Sequence, residues 1–344
     1  MDSPLRSPVS VAGVNVTHQE ERPETFPSLT IVVPTFRRPE YLAEALESVV
    51  SAAERVPDLA LNVVVSDNAS GDETESVATQ ERGLGVSYFR NETNLGVSEN
   101  IVLAIEKADG DYVMFLSDDD VLTPDALQSI ASQMNVEPSV GVVTGPVRRF
   151  REDDPDGPEA QVFFPCPSDV DVRLDAGADV LEAIFLRSLS LSGFAIRRDL
   201  VDGAGARCHA DSLYPQVYLA AHAAAQFGAA YLVDPVVLVR HNPDRDWQYR
   251  HDYNAGGVLG ILSDVTADKP WGAEARRRII KKRVRAAYGP LLEARRDSIR
   301  SFWQTSRGLM TVGGYCRSPV FWSFVLGIGV LGDTGIRLLR KILR

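Results

Sequence analysis

Between Leu29 and Thr144 the sequence alternates five short apolar runs with four longer stretches of helical periodicity, and few folds tolerate that rhythm. Leu29–Val33 (LTIVV), Leu61–Ser66, Val86–Phe89, Tyr112–Leu116 and Val140–Thr144 read as strands of four to six residues. The intervening segments repeat apolar residues at helical spacing. Leu42, Ala45, Leu46, Val49 and Val50 follow Pro39 in the first, and Ser70 with Glu73 forms a capping-box pattern for the second. The third helix is expected over Gly96–Lys107 and the fourth over Pro124 to about Asn135. Strands alternating with helices of ten or so residues predict a parallel α/β sheet built from right-handed crossovers. Such sheets bind ligands outside the carboxyl ends of their strands. Pro34-Thr35, Asp67-Asn68 and the run Asp118-Asp119-Asp120 all fall at those ends.

The three aspartates are the electrostatic oddity. They follow directly on a buried strand, Tyr112–Leu116. Two like charges ~4 Å apart repel by roughly 4 kcal/mol at an effective dielectric near 20. Such a cluster takes up protons or holds a cation, and a hard divalent ion carrying substrate phosphates suits oxygen ligands. The plain structural alternative is a solvated acidic turn ahead of the helix that starts at Thr123-Pro124-Asp125.

After Phe150 the rhythm lapses. Arg151–Asp175, rich in Asp and Pro, reads as a long loop. Ala178–Arg187 reads as a helix, Leu189–Ile196 as a strand, Arg207–Asp211 as a polar turn, and Leu213–Phe227 as an alanine-rich helix. Ala229–Val239 reads as a strand pair broken at Pro235, and the chain beyond Trp247 as helical. Four regions follow: a disordered polar arm at 1–27, a regular α/β half at 28–150, a less regular half at 151–245, and a basic helical extension at 246–344.

In this order and spacing, VVPTFRRPEYLAEALESV, VVSDNASGDET, NLGVSEN and GDYVMFLSDDDVLTPDAL resemble the inverting glycosyltransferases of the large family 2, and most nearly the O-antigen, abequosyltransferase-like branch. The resemblance covers about residues 28–245. It implies a GT-A fold: a Rossmann-like, mostly parallel sheet of nucleotide-diphospho-sugar transferases, here with a helical C-terminal extension. It implies transfer of a sugar, with inversion, from a nucleoside diphosphate (a UDP-sugar) to a hydroxyl of a glycan or lipid-linked acceptor in surface polysaccharide or glycolipid synthesis. Many members carry Asp where Ser117 stands, so the paired-aspartate motif falls on two of the three acids here.

The resemblance also assigns roles. Asp118, Asp119 and Asp120 would hold Mg²⁺ or Mn²⁺, with Asp118 also near the ribose. Asp67 would take a hydrogen bond from the nucleotide base; an Asx turn is its structural alternative. Pro34, Thr35 and Arg38 would line the nucleotide pocket, and Asn94, Gly96 and Asn100 its floor. Asp211 matches the family's general base, with an N-cap as the alternative; Asp199 is a weaker candidate carboxylate. His241 would be a further metal ligand or contact the diphosphate. The other functional readings are a non-catalytic nucleotide-sugar binder and a sugar nucleotidyltransferase. The latter usually has a Gly-rich loop after the first strand, whereas Pro34-Thr35-Phe36-Arg37-Arg38 contains no glycine.

Charge is partitioned along the chain. The net charge is −11, yet from Trp271 onward there are sixteen basic and four acidic residues. An acidic body with a basic tail suggests an anionic partner for the tail. The acidity of the body disfavours nucleic acid. The basic helices, the apolar stretch Pro319–Gly332 and the amphipathic 336–344 segment suggest peripheral contact with an anionic membrane; a packed helical subdomain is the alternative. Three widely spaced cysteines (Cys166, Cys208, Cys316) predict neither disulfides nor a zinc site, and hence a cytoplasmic protein, peripheral on the inner face of a membrane.

Overall fold

The computed structural model describes residues 14–15, 27–80, 82–151, 161–210, 214–241, 255–310 and 316–330. Asp211, the 336–344 segment and most of the N-terminal arm lie outside the described residues. In chain order the elements are β1 (Val14–Asn15), β2 (Leu29–Thr35), α1 (Pro39–Ala53), β3 (Leu61–Asp67), α2 (Thr74–Thr79), β4 (Gly85–Arg90), α3 (Val97–Glu106), β5 (Tyr112–Phe115), β6 (Val121–Leu122), α4 (Ala126–Met134) and β7 (Val142–Thr144). There follow β8 (Val147–Arg151), β9 (Val162–Phe163), β10 (Val172–Leu174), α5 (Ala178–Arg187), β11 (Phe194–Arg197), α6 (Gly203–Cys208), α7 (Pro215–Phe227), β12 (Ala229–Tyr231) and β13 (Val237–His241). The C-terminal part is helical: α8 (Ala255–Val265), α9 (Gly272–Ala286), α10 (Tyr288–Asp297), α11 (Ile299–Met310) and α12 (Pro319–Phe324), which runs on into a π-helical turn, Val325–Val330.

Among the described residues the strands form two sheets. The larger has the order β1-β10-β12-β7-β11-β5-β2-β3-β4, the smaller β6-β13-β8-β9. From β4 to β5 every pairing is parallel, as the alternation predicts. Consecutive residues of these strands point to opposite faces, and both faces are covered. Val32, Val64 and Val113 join a core under α3, α5 and α7, whereas Ile31, Val33, Val63, Val65 and Met114 pack with α1 and α4.

Several local expectations fail: the strand read over Leu189–Ile196 begins only at Phe194, and the polar turn read over Arg207–Asp211 is helical through Cys208. β11 enters antiparallel between β5 and β7, so the middle of the sheet is mixed. Phe194, Ala195 and Ile196 are all buried, and a strand buried on both faces carries no sequence signature of its direction. The segment Arg151–Asp175, read as loop, contributes β9 and β10 in its described part, and Val14–Asn15 of the arm pairs with β10. Ser70 and Glu73 do not form a capping box: the helix starts at Thr74, whose N–H and hydroxyl both donate to Asp72 Oδ1, while Ser70 Oγ accepts from Arg37 N.

α9 to α12 enclose a third, smaller core of Val284, Leu291, Phe302, Leu309, Phe321, Phe324, Val325 and Ile328. Phe321 and Phe324 are therefore packed, as the subdomain alternative holds, but Trp322 is exposed. No helix among the described residues is long and apolar enough to cross a membrane.

Candidate active site

β2, β3, β4 and β5 end together, because register pairs Thr35 with Asp67, Asp67 with Arg90, and Val32 with Phe115. The crevice expected from sequence is this rim. At its β5 end the three aspartates are almost wholly buried, not splayed into solvent. Asp118 Oδ2 accepts from Thr35 Oγ1 at 2.8 Å, and its Oδ1 lies 3.1 Å from Arg38 Nη1. The same Nη1 is 3.3 Å from Asp119 Oδ2, so one cationic atom bridges two carboxylates. Asp119 Oδ1 accepts from Ser117 Oγ at 2.6 Å. Asp120 is held from the far half of the chain: Ser192 Oγ donates to Oδ2 at 2.6 Å and Arg240 N to Oδ1 at 3.0 Å. Pro34 is buried in β2, directly before Thr35.

These contacts do not outweigh burial. Burial pushes Asp118 up to about 6 despite the opposing Arg38, with Asp119 adding repulsion. Burial first, and Asp119 second, push Asp120 well above the ordinary carboxylate range, against the Ser192 and Arg240 hydrogen bonds. Arg38 Nη1, shared between Asp118 and Asp119, marks where positive charge meets the acids.

A different chemistry occupies the β3–β4 end. Asp67 is buried; its Oδ1 accepts from Ser70 N at 2.9 Å and its Oδ2 from Tyr88 Oη at 2.7 Å. The Asx-type turn is thus formed. Next to it lies a web of neutral amides. Asn68 Nδ2 donates to Asn94 Oδ1 (2.8 Å) and Gly96 O (3.2 Å), and Asn68 Oδ1 accepts from Leu95 N and Asn91 Nδ2. Asn100 Oδ1 accepts from Ser66 Oγ and Asn91 Nδ2, while its Nδ2 donates to Ser66 O. Gly96 adopts φ +84° at the start of α3, where Asn94 Oδ1 takes its N–H.

The second half supplies residues that the sequence did not single out. Arg187, at the end of α5, is buried. Its Nε donates to Gly145 O (2.7 Å) and its Nη2 to Ser192 O (2.8 Å) and Gly193 O (3.0 Å). Burial lowers its pKa to about 10. It pins the turn that presents Ser192 to Asp120. Gly193, at φ +85°, has no room for a Cβ, which would lie 2.7 Å from Arg187 Nη2. Arg240 lies across the rings of Tyr41 and Phe150, donates from Nε to Asp119 O at 3.1 Å, and pairs with Glu44. The only sequence hints were a basic residue closing a helix and a glycine inside a strand.

The remaining candidates separate. Asp199 sits past the end of β11 that pairs with Tyr112, the opposite end of the sheet from Asp118, and is exposed and ion-paired with Arg197. It is not part of this rim. Asp211 lies outside the described residues. Before it, Arg207 on α6 pairs with both Glu106 and Glu99 of α3. His209 lies 3.2 Å from Asp264 and packs on Tyr218. His241 ends β13, one residue beyond the N–H that Asp120 accepts. Among the described residues, no group of three or more His, Cys, Asp or Glu forms a ready metal cage.

Residues 30–197 match the model of the family Glycosyl transferase family 2. The abequosyltransferase RfbV of Salmonella typhimurium is 31% identical over 115 residues, 33% of this chain and 34% of that protein. The chain spans about a third of the length of the curated relatives it matches. Among solved structures, S. aureus TarS 1–349 in complex with UDP-GlcNAc superposes with a TM-score of 0.56 at 16% identity, covering 91% of this chain and 92% of that one. The mannosyltransferase PcManGT of Pyrobaculum calidifontis, in complex with GDP-Man and Mn²⁺, gives 0.53 at 16% identity over 98% and 87%. At these identities the likeness speaks to the fold alone. The four motifs, the sheet order and the family match agree: over residues 30–197 this chain carries a glycosyltransferase family 2 domain on a GT-A fold.

Proposed function

We propose that the protein is a metal-dependent inverting glycosyltransferase that moves a sugar from a nucleoside diphosphate, a UDP-sugar in the first instance, to a hydroxyl of a glycan or lipid-linked acceptor in surface polysaccharide synthesis. The observation that carries it is the buried Asp118–Asp120 cluster on the same strand-end rim as Asp67. A solvated acidic turn would have no reason to bury three carboxylates. The chemistry also demands this polarity, because departure of a nucleoside diphosphate concentrates negative charge on phosphate oxygens.

The residues fit a divalent cation. Asp118 and Asp119 already converge on a single cationic atom, Arg38 Nη1. Mg²⁺ and Mn²⁺ need only one or two protein carboxylates, with diphosphate oxygens and water completing the shell. Such an ion supplies charge neutralisation at the leaving diphosphate. Asp120, anchored by Ser192 and Arg240, backs the pair or joins it, and His241 follows on β13. Thr35 fixes the Asp118 carboxylate, and Arg38, which bridges Asp118 and Asp119, is the cationic side chain placed to meet a substrate phosphate. Pro34, Asp67, Asn94 and Asn100 form the rigid nucleotide side. Asp211, which matches the family's general-base position in sequence, is the general base of this reading, because an inverting transfer needs a carboxylate within hydrogen-bond reach of the acceptor hydroxyl. PcManGT was solved with Mn²⁺ and TarS with UDP-GlcNAc, which supports the cofactor and donor classes.

The protein would work at the cytoplasmic face of a membrane, in peripheral contact with anionic lipid through its C-terminal basic helices; the three free cysteines suit a reducing compartment. Thermal shift against a panel of nucleotide sugars, with and without Mn²⁺, tests the reading. Stabilisation by at least one nucleoside diphosphate, enhanced by Mn²⁺ and accompanied by slow donor hydrolysis, is expected. Asp211→Asn should keep that binding and lose about 10²–10⁴-fold in transfer rate. Absence of any shift or hydrolysis would overturn it.

A further inference from the structure

The described residues include thirteen large apolar side chains that are exposed, and six of them fall within 299–330. They are not scattered. Ile299 and Trp303 are four residues apart on α11; Trp322, Leu326 and Val330 recur every fourth residue along α12 and its continuation, with Val320 beside them. Leu326 and Val330 are 55% and 64% exposed. The two helical segments belong to one packed unit, because Phe302 lies against Gly329 so closely that a Cβ there would sit 2.3 Å from its ring. Both tryptophans are held: Trp322 Nε1 donates to Cys316 O at 2.8 Å, and the Trp303 ring meets Phe302 edge-on.

The charge along this stretch has one sign. From Ser298 to Val330 there is no Asp or Glu, while Arg300, Arg307 and Arg317 are exposed. α9, by contrast, turns part of its charge inward: Arg278 pairs with Asp179, Glu182 and Glu274, and Lys282 with Glu182. Two of its seven basic residues thereby fasten the extension to α5, while Arg277, Lys281 and Arg285 stay exposed.

We infer that the exposed faces of α11 and α12, bearing Ile299, Trp303, Trp322, Leu326 and Val330 and edged by arginines, are a docking surface for the interface of an anionic lipid bilayer. An apolar, tryptophan-bearing stripe edged by arginine, on helices too short to span, is what lies in the headgroup region, with aromatic rings at the polar boundary. Within 298–330 the charged side chains are all cationic, although exposed Asp297 directly precedes the stretch, and this balance favours an anionic surface over a partner of mixed charge. This deepens the peripheral-membrane part of the proposed function by moving the contact from the basic run of α9 to α11 and α12, and it stands apart from the transferase chemistry.

Flotation of the full chain with vesicles of phosphatidylcholine alone, or mixed with phosphatidylglycerol, tests it. The chain is expected to float with the mixed vesicles, less so at high salt. Trp322→Glu/Leu326→Glu should weaken partitioning about tenfold or more, whereas Lys281→Glu/Arg285→Glu on α9 should change it far less. Donor hydrolysis in solution should be the same in all of them. Because the first pair could disturb folding, bromolipid quenching of the unaltered chain gives a second readout, and quenching should drop in Trp303→Phe/Trp322→Phe. No flotation and no quenching would overturn the inference. So would loss of flotation only in the α9 pair, which leaves peripheral membrane contact intact but elsewhere. A dimer by light scattering that the Trp322/Leu326 pair abolishes would instead assign the face to a second copy and also overturn it.

Discussion

The two ends of the catalytic rim solve opposite problems with residues of similar size. At the β3–β4 end, Asn68, Asn91, Asn94 and Asn100 satisfy one another and the backbone, so a neutral web is complete without any ligand. At the β5 end, Asp118 and Asp120 are buried, and burial drives both toward protonation. The first arrangement is rigid and already satisfied. The second is incomplete and gains when a cation arrives. A binding crevice can thus be half template and half charge sink, the template fixing where the nucleotide sits and the sink making its phosphates welcome.

The contrast can be broken most directly at Asp119. Asp119→Ala is expected to lower transfer by roughly 10²–10³-fold by depriving the cation site of a ligand, with little loss of folding stability; a large fall in melting temperature would show that the acids are structural. The next effect should be of the opposite kind. Asn68→Ala removes the buried amide that ties Asn91, Asn94, Leu95 and Gly96 together and should destabilise the fold by about 1–2 kcal/mol, measured by denaturant unfolding with or without metal. Equal destabilisation by both substitutions would erase the distinction.

Asp118→Asn sharpens it further. The folded pKa of Asp118, about 6, lies above the ordinary carboxylate value of 3.8, so the folded state holds the extra proton between them. Stability of the metal-free protein should therefore decline as pH rises from about 4 to about 6 and remain lower above that window. Asn removes that slope and should raise stability near neutral pH by about 2 kcal/mol, while weakening Mn²⁺-supported nucleotide binding. In the unaltered protein that binding should fall by about tenfold per pH unit below 6, since the carboxylate must lose its proton to hold metal. A flat profile between pH 5 and 7 would mean that the acids are not the cation's ligands. The smallest effect is expected at Ser192→Ala, which removes a hydrogen bond from Asp120 and should cost about tenfold in Mn²⁺ affinity.

How much of this was legible depended on how local each signal is. The β-α rhythm, the strand ends and the helix Ala178–Arg187 follow from periodicity and turn residues within a few positions. So does the rim itself, because strand ends in a parallel sheet coincide wherever their neighbours do. What was not legible is long-range. Ser192 reaches Asp120 across 72 positions and Arg240 across 120, and nothing near either residue announces its partner. Arg187 entered the sequence reading only as the last residue of a helix, and it is a buried clamp on three carbonyls. Val121–Leu122 is too short to register as a strand, yet it pairs with β13 and so fixes the chain directly after the acids. The capping pattern at Ser70 was misread because a nearer acid, Asp72, captured the helix start.

β11 carries one more implication. It supplies the bonds that join β5 to β7, and the rings of Phe115 and Phe194 meet across that seam at 4.9 Å. The boundary between the halves proposed to handle donor (28–150) and acceptor (151–245) therefore runs through the middle of a hydrogen-bonded ladder, not along a linker. Anyone grafting a foreign acceptor module onto this donor module, in pursuit of a hybrid with new linkage chemistry, would have to transplant a strand that matches β5 rung for rung, together with the serine it delivers to the neighbouring acid.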